Sequence, residues 1–476
     1  MNIVIGMVIV LCLMVSELVT SFVVDDPWQR MIAAIVTACA VPILAMLQVS
    51  NLLDKKRKLI ASGSRMTFSE QQHHVRRIAA NHAGIWAVAG LFIVGVVRWQ
   101  NVVRENWGLD HWPLLDEVVI LAPIIFALIA SWAVFYELQR SMSGNNSGKQ
   151  FGRLRYVALH FRVYVAMVLI PLAIMVLLKD ISSNFDALTG QTAAIAATVS
   201  IVGLLAVFPF AMLFVWRNKK LEDPETRKEI FDICRKNRMN VFDIRIWNTE
   251  NRIVNAVVAG SIPKLRVLML SDALLSSFPR NEVAAIVRHE AGHVRLGHLQ
   301  IRVLFVLLPI FAMLGASLFT GTIPNAIWES ASFASGQFDL QTVLNILGVV
   351  AYLGYITLVV GWLSKKMEFE ADLFAIGAFD ASVAELSTVE PSKEPINLAQ
   401  SMVDALLRFA QDNPDQYEKR SLTHPSIRQR IDMIARAAAN RDSAIEFRRQ
   451  FVRDQVCLGL TLLVTLIMIL IMFSGV

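Results

Sequence analysis

The sequence predicts a mainly α, polytopic membrane helical bundle with a small α+β module at its cytoplasmic face. Three observations predict this class. The chain of 476 residues is 55% hydrophobic and only 18% charged. Apolar runs recur at the length a bilayer demands, since a hydrocarbon core about 30 Å thick takes roughly 20 residues of helix. Sequence with β character is confined to one polar stretch after residue 216.

The apolar runs lie near 3–24, 31–52, 79–97, 117–136, 163–178, 193–215, 302–321, 342–363 and 455–474, so about nine spans are expected. The first opens MNIVIG without a basic n-region, and SFVVDD is a poor cleavage site, so it reads as a span and not a cleaved signal peptide. Glu17 within it is costly in lipid and is expected to face other helices. Basic residues concentrate in alternate connections: DKKRK at 54–58 with Arg76 and Arg77, then Arg140, Lys149, Arg153 and Arg155, then WRNKK at 216–220. By the positive-inside rule those loops are cytoplasmic and the N-terminus lies opposite. The expectation is a multi-pass protein of a bacterial cytoplasmic (inner) membrane, in contact with the lipid bilayer.

The net charge of +6 is therefore topological. No basic groove interleaved with aromatic residues points to nucleic acid, and neither GxxxxGK[ST] nor a GxGxxG after a strand points to a nucleotide. The four cysteines lack the spacing of a thiolate metal site or a disulfide framework, so a bound metal would have to use histidine and carboxylate. His82, His111 and His160 flank spans, where an interfacial position suffices, and His73 and His74 read as solvated.

Five segments follow along the chain. Residues 1–216 form an N-terminal multi-span membrane region, with SGNNSGKQ (143–150) as a flexible cytoplasmic loop. Residues 217–300 form the polar module, with a charged helix near 223–238 and strand-like runs FDIRIW (242–247), RIVNAVV (252–258) and LRVLML (265–270). A helix follows from about Asn281 as N-cap, with Glu282 placed for the helix dipole. Residues 301–363 form a two-span hairpin whose loop carries no Lys or Arg. Residues 364–452 are a second cytoplasmic part, helical near 396–411 and 427–440, and 453–476 form a last span.

The helix after Asn281 carries VRHEAGHVRLGH (287–298). His289 and His293 stand at i and i+4, one above the other on one helical face, as two zinc ligands would. Glu290 sits about 100° round the helix, where it flanks such a metal and can take a proton from its water, whose pKa falls toward ~7. The arrangement is zincin-like. A catalytic zinc keeps three protein ligands, and on a regular helix His298 lands about 900° from His289, on the opposite face. The third ligand must come from elsewhere. The two-span hairpin returns the chain to the same membrane face, and the first acidic cluster met on return holds Glu368, Glu370 and Asp372.

These residues resemble the membrane metallopeptidases that include the bacterial heat-shock protease HtpX and the type I CAAX prenyl proteases. The resemblance covers about 220–440 and rests on NAVVAG (255–260), RHEAGHVRLGH (288–298), EFEAD (368–372) and THPSIRQRI (423–431), in the family's order. It implies one zinc ion per chain held by His289, His293 and Glu368, with Glu290 as the catalytic glutamate. It implies Asp372 supporting a ligand histidine, Asn255 and Ala256 along a peptide-binding edge strand, and His424 and Arg430 bordering the cleft as oxyanion stabilisers. On a helix Glu368 and Asp372 share a face, while Glu370 points about 200° away from Glu368 and is given no role. Ser426 departs from the family's second proline, and the six or so spans before the module are closer in number to the CAAX proteases.

The expected activity is that of an integral-membrane zinc endopeptidase acting on a peptide or protein substrate, one that is membrane-associated or misfolded. Its active site would face the cytoplasm. The competing expectations are a signalling protease of sensor-transducer type, which would need a sizeable extracytoplasmic domain, and a non-catalytic zinc-containing scaffold, which would need a fourth protein ligand.

Overall fold

Among the described residues, four helical segments are long and apolar enough to cross a membrane: Pro27–Ala61, His74–Gly95, Leu115–Ser141 and Arg153–Ile174. They belong to a computed structural model that describes residues 5–6, 8–9, 11–12, 26–63, 68–112, 114–142, 152–183, 212–260, 262–320, 351–352, 354–379, 397–412 and 415–474. The chain divides into two units, one built on Met1–Leu204 with Asn325–Leu344, the other on Leu205–Pro324 with Asn345–Val476.

In the first unit α1 (Pro27–Ala61), α2 (Phe68–Gly95), α3 (Leu115–Met142), α4 (Arg153–His160) and α5 (Met167–Ser183) account for the four segments, with a π turn at Phe161–Ala166 joining the last two. Helix α1 starts where proline is tolerated, with Asp26 accepting a hydrogen bond from the Trp28 N–H at 3.0 Å as N-cap. Its buried stripe is small, with Ala34, Ala38 and Val41 packed into one core with Ile120, Ile124 and Ala127 of α3. Ile32, Ile35, Val36 and Ile43 stand exposed on the other face. Small residues inward and large apolar ones outward is the pattern of helices that pack in lipid, where close backbone approach replaces the hydrophobic drive.

His82 departs from the interfacial expectation. It is buried, and its Nε2 lies 2.8 Å from the Ser131 hydroxyl of α3, a polar partner that makes the interior tolerable. His111 is exposed. The runs near 3–24, 193–215 and 342–363 lie wholly or partly outside the described residues, as do Glu17 and the loops 143–150 and 322–341.

The second unit holds a four-stranded sheet ordered β1–β2–β4–β3: β1 Asn218–Lys220, β2 Asp243–Trp247, β3 Ala256–Ala259 and β4 Val267–Ser271. Strands β2 and β4 pair in parallel, in the register Ile244 to Leu268, and the outer pairs are antiparallel. Three of these strands match the expected runs. β1 falls in WRNKK, whose polar side chains carry no period-2 signal. Helix α6 (Pro224–Lys236), N-capped by Asp223, joins β1 to β2, and α7 (Asp272–Ser277) follows β4. Helix α8 (Arg280–Arg295) lays Val283, Ile286 and Val287 into one core with Ile244, Leu268 and Leu270 of the sheet.

The start of α8 corrects one expectation. Asn281 lies inside the helix and bonds Ser401 at 3.3 Å, while Pro279 stands at the N-cap position without a side-chain cap. Glu282 does more than face the dipole: buried, it takes both ends of the Arg408 guanidinium at 2.7 and 2.9 Å. Both residues thus have tertiary partners, Ser401 and Arg408, in place of local capping roles.

Beyond α8 come α9 (His298–Thr320), α10 (Gly361–Ala375), α11 (Leu398–Asp412), α12 (Ile427–Ala439) and α13 (Arg441–Ser474). The departure at Ser426 has a local explanation. Its hydroxyl accepts from the Gln429 N–H and the Gln429 side chain accepts from the Ser426 N–H, a capping box that a proline could not form.

Candidate metal centre

The site forms where α8 meets α10 at Gly292. A Cβ built on Gly292 would come within 3.2 Å of the Ala371 Cα and of its carbonyl oxygen, so any side chain there would press the two backbones apart. That approach sets Glu368 opposite the two histidines. His289 Nε2 and His293 Nε2 are 3.1 Å apart, and the Glu368 carboxylate lies 3.8 Å from the first and 3.5 Å from the second. One ligand atom from each residue falls within 4.8 Å of the others. Two imidazoles and one carboxylate converging on a point is the donor set of a catalytic zinc, with a fourth position left for water, so the residues fit the metal the motif implies.

Asp372 lies one turn beyond Glu368 and is fully buried. Its carboxylate is 2.9 Å from His289 Nδ1, which therefore carries the proton and leaves Nε2 free to ligate. Arg430 of α12 closes the network with a bidentate pair to Asp372 at 2.7 and 2.6 Å. Its third nitrogen stands 3.7 Å from Glu368. His424 is more than half exposed, and its Nδ1 lies 3.1 Å from Glu368 Oε2.

The electrostatics prepare the histidines differently. Burial opposes charge on His289, but the hydrogen bond and charge of Asp372 outweigh it and raise its pKa. Burial drives His293 well below the usual imidazole range, helped by its neighbouring histidines. Burial works against the charge of Glu368 too, yet the hydrogen bond from His424 and the charges of His293 and Arg430 hold it well below the carboxylate range. Asp372 is likewise held low by Arg430 and His289 against its burial. Glu290 is the exception: burial lifts its carboxyl to about 7, with only partial opposition from His289. A carboxyl poised there can both take and return a proton near neutrality.

The proposed substrate edge is the last strand of the sheet. Asn255 exchanges bonds with Ser271, its N–H going to the hydroxyl and its carbonyl accepting the Ser271 N–H, each at 3.0 Å. By antiparallel alternation, the backbone groups of Ala256 and Val258 then face away from β4. The Asn255 side-chain oxygen covers the Ala256 N–H at 3.0 Å.

Two residues at the site were not assigned from the sequence. Helix α8 ends at Arg295, and Gly297 turns the chain at φ +70°, so the regular helix that would carry His298 to the far face does not continue. His298 comes back beside His293, with Nδ1 to Nδ1 at 2.8 Å. Its Nε2 lies 3.0 Å from Glu370, the carboxylate that helical geometry aims away from the metal. The glycine before His298 was the signal for this turn.

Residues 235–438 match the profile of Peptidase family M48. Among curated proteins the chain is similar to the protein named Protease HtpX of Hahella chejuensis, 28% identical over 193 residues, which are 39% of this chain and 62% of that protein. It is 25% identical over 272 residues to Protease HtpX of Stutzerimonas stutzeri, covering 52% of this chain and 89% of the relative. Among solved structures the crystal structure of S. mikatae Ste24p aligns with a TM-score of 0.51 at 16% identity, over 86% of this chain and 99% of that one, which shows a shared fold. Residues 235–438 thus carry the match to Peptidase family M48, within a chain that is similar in sequence to HtpX proteases and in fold to Ste24p.

Proposed function

We propose that the protein is an integral-membrane zinc-dependent endopeptidase that cleaves membrane-associated or misfolded proteins at the cytoplasmic face of a bacterial inner membrane. His289, His293 and Glu368 would hold the zinc, and Asp372 would fix His289. The observation that carries the reading is the convergence of those three donors beside Glu290, which shares α8 with the two histidines. Zinc, when bound, supplies an acidified water and polarisation of the scissile carbonyl.

The rest falls to the chain. The substrate adds as a strand along β3, whose outward backbone groups at Ala256 and Val258 supply main-chain bonds. Glu290 takes the proton of the attacking water and returns it to the leaving amine. His424, with its ring more than half exposed, donates to the developing oxyanion. Arg430 has two of its three nitrogens on Asp372, so its contribution is to fix that carboxylate and to add positive potential near Glu368.

The test separates metal binding from proton transfer. Glu290→Gln in purified protein is expected to keep a full equivalent of zinc and to lose casein cleavage by at least about 3–4 orders of magnitude, the scale of losing an essential acid/base group. Near-normal cleavage by that variant would sink the mechanism.

A further inference from the structure

We infer that His298 and Glu370 form a positioning relay that holds His293 for the metal, terminated by Arg448 on the C-terminal helix. The inference rests on the reading of His293 as a ligand and extends it to three residues outside the ligand set. His293 directs Nε2 toward His289 and Glu368, so its outward Nδ1 carries the proton once Nε2 ligates. That N–H meets His298 Nδ1 at 2.8 Å, which must then be the acceptor nitrogen. A neutral imidazole accepting at Nδ1 carries its own proton on Nε2, and Nε2 lies 3.0 Å from Glu370 Oε2. The other oxygen of Glu370 is 3.4 Å from Arg448 Nε. One assignment of protons satisfies every contact: the two histidine bonds run outward from the metal site to Glu370, and Arg448 meets that carboxylate from the far side.

Burial adds a second argument. His298 and Glu370 are 1% and 4% exposed, and a buried carboxylate without partners is costly. Here its oxygens have His298 and Arg448. The result mirrors the other ligand, where His289 reaches Asp372 directly and Arg430 completes that carboxylate. His293 reaches its carboxylate through one intervening ring, because Glu370 lies on the other side of α10 and the turn at Gly297 supplies the imidazole that bridges the gap. Arg448 belongs to α13, so the helix that ends the chain is tied to the metal site.

The test uses full-length protein purified in detergent, stripped of metal and titrated with zinc against a chromophoric chelator. Glu370→Ala and His298→Ala are each expected to weaken zinc by roughly 10–100-fold, the usual effect of removing the group behind a ligand histidine. The double variant should be little weaker than the worse single, since both interrupt one chain. Glu370→Gln retains an acceptor oxygen and should recover most of the affinity. In cobalt-loaded protein the visible ligand-field bands should shift in His298→Ala and less in Glu370→Gln, a readout that altered fold stability alone does not move. Wild-type zinc affinity and unshifted bands in His298→Ala and Glu370→Ala, beside abolished binding in His293→Ala, would overturn the relay and leave the metal site standing. Zinc retained by His293→Ala would instead overturn the ligand assignment itself.

Discussion

Three carboxylates within five residues, Glu368, Glu370 and Asp372, have different work because each faces a different partner. Glu368 lies against both histidines, so Glu368→Ala is expected to abolish zinc binding, measured by inductively coupled plasma spectrometry on purified protein. Asp372 touches only His289 among the proposed ligands, so Asp372→Ala should leave zinc bound but weaken it by roughly 10–100-fold. It also strips Arg430 of its bidentate partner, and an uncompensated buried charge destabilises strongly. That variant should therefore melt earlier as well. Zinc-free Asp372→Ala beside zinc-replete Glu368→Ala would exchange the two roles. The histidine pair and the Glu368–Asp372 face were legible from helical spacing alone. His298 and Glu370 were not, because the spacing argument assumed a helix continuing through Gly297.

At the scale of elements, the site depends on how closely α8 and α10 pack. Gly292→Ala places a methyl group 3.2 Å from the Ala371 backbone and from the Phe374 Cβ, neither of which is the loose end of a flexible side chain. The helices must part by a few tenths of an ångström, an overpacking that costs about 1–3 kcal/mol. Glu368 should retreat from the histidines, so lower zinc affinity should accompany a lower melting temperature. Unchanged affinity would show that the ligands adjust independently of the helix contact. The edge strand offers a separable test. Proline at Val258 removes an N–H that faces away from β4, a position where a strand tolerates it. Val258→Pro should keep zinc and lose about 2–10-fold in kcat/KM on peptide substrates, the worth of one main-chain hydrogen bond. Full activity would argue against strand addition at this edge. Period-2 patterning disclosed β2, β3 and β4 to within a few residues. It could not disclose β1, three polar residues held by pairing with β2, nor the Glu282–Arg408 clamp, which joins residues far apart in the chain.

For the whole molecule, composition discloses the membrane class, because lipid imposes it on the sequence directly, and charge asymmetry predicts an orientation. Which helices pack together is set by side-chain fit within the bundle, such as the small stripe of α1 against α3, and hydropathy does not encode it. Orientation decides which compartment supplies substrate, so it can be tested without any assay of cleavage. Lys149, in a basic connection, is expected in the cytoplasm, and Ser332, in a loop without Lys or Arg, outside it. Both lie outside the described residues, and the test needs only their accessibility. Of the native cysteines, Cys39 and Cys457 are exposed on apolar helices and Cys12 and Cys234 are buried, so all four are first replaced by serine. A membrane-impermeant maleimide applied to intact cells should then label Ser332→Cys and spare Lys149→Cys until the membrane is permeabilised. Two membrane crossings between His293 and Glu368, which the apolar runs predict, would return the chain to one face, and the metal centre is then expected in the compartment of Lys149. Labelling of Lys149→Cys in intact cells would move the site, and the pool of proteins it can cleave, to the opposite side of the membrane.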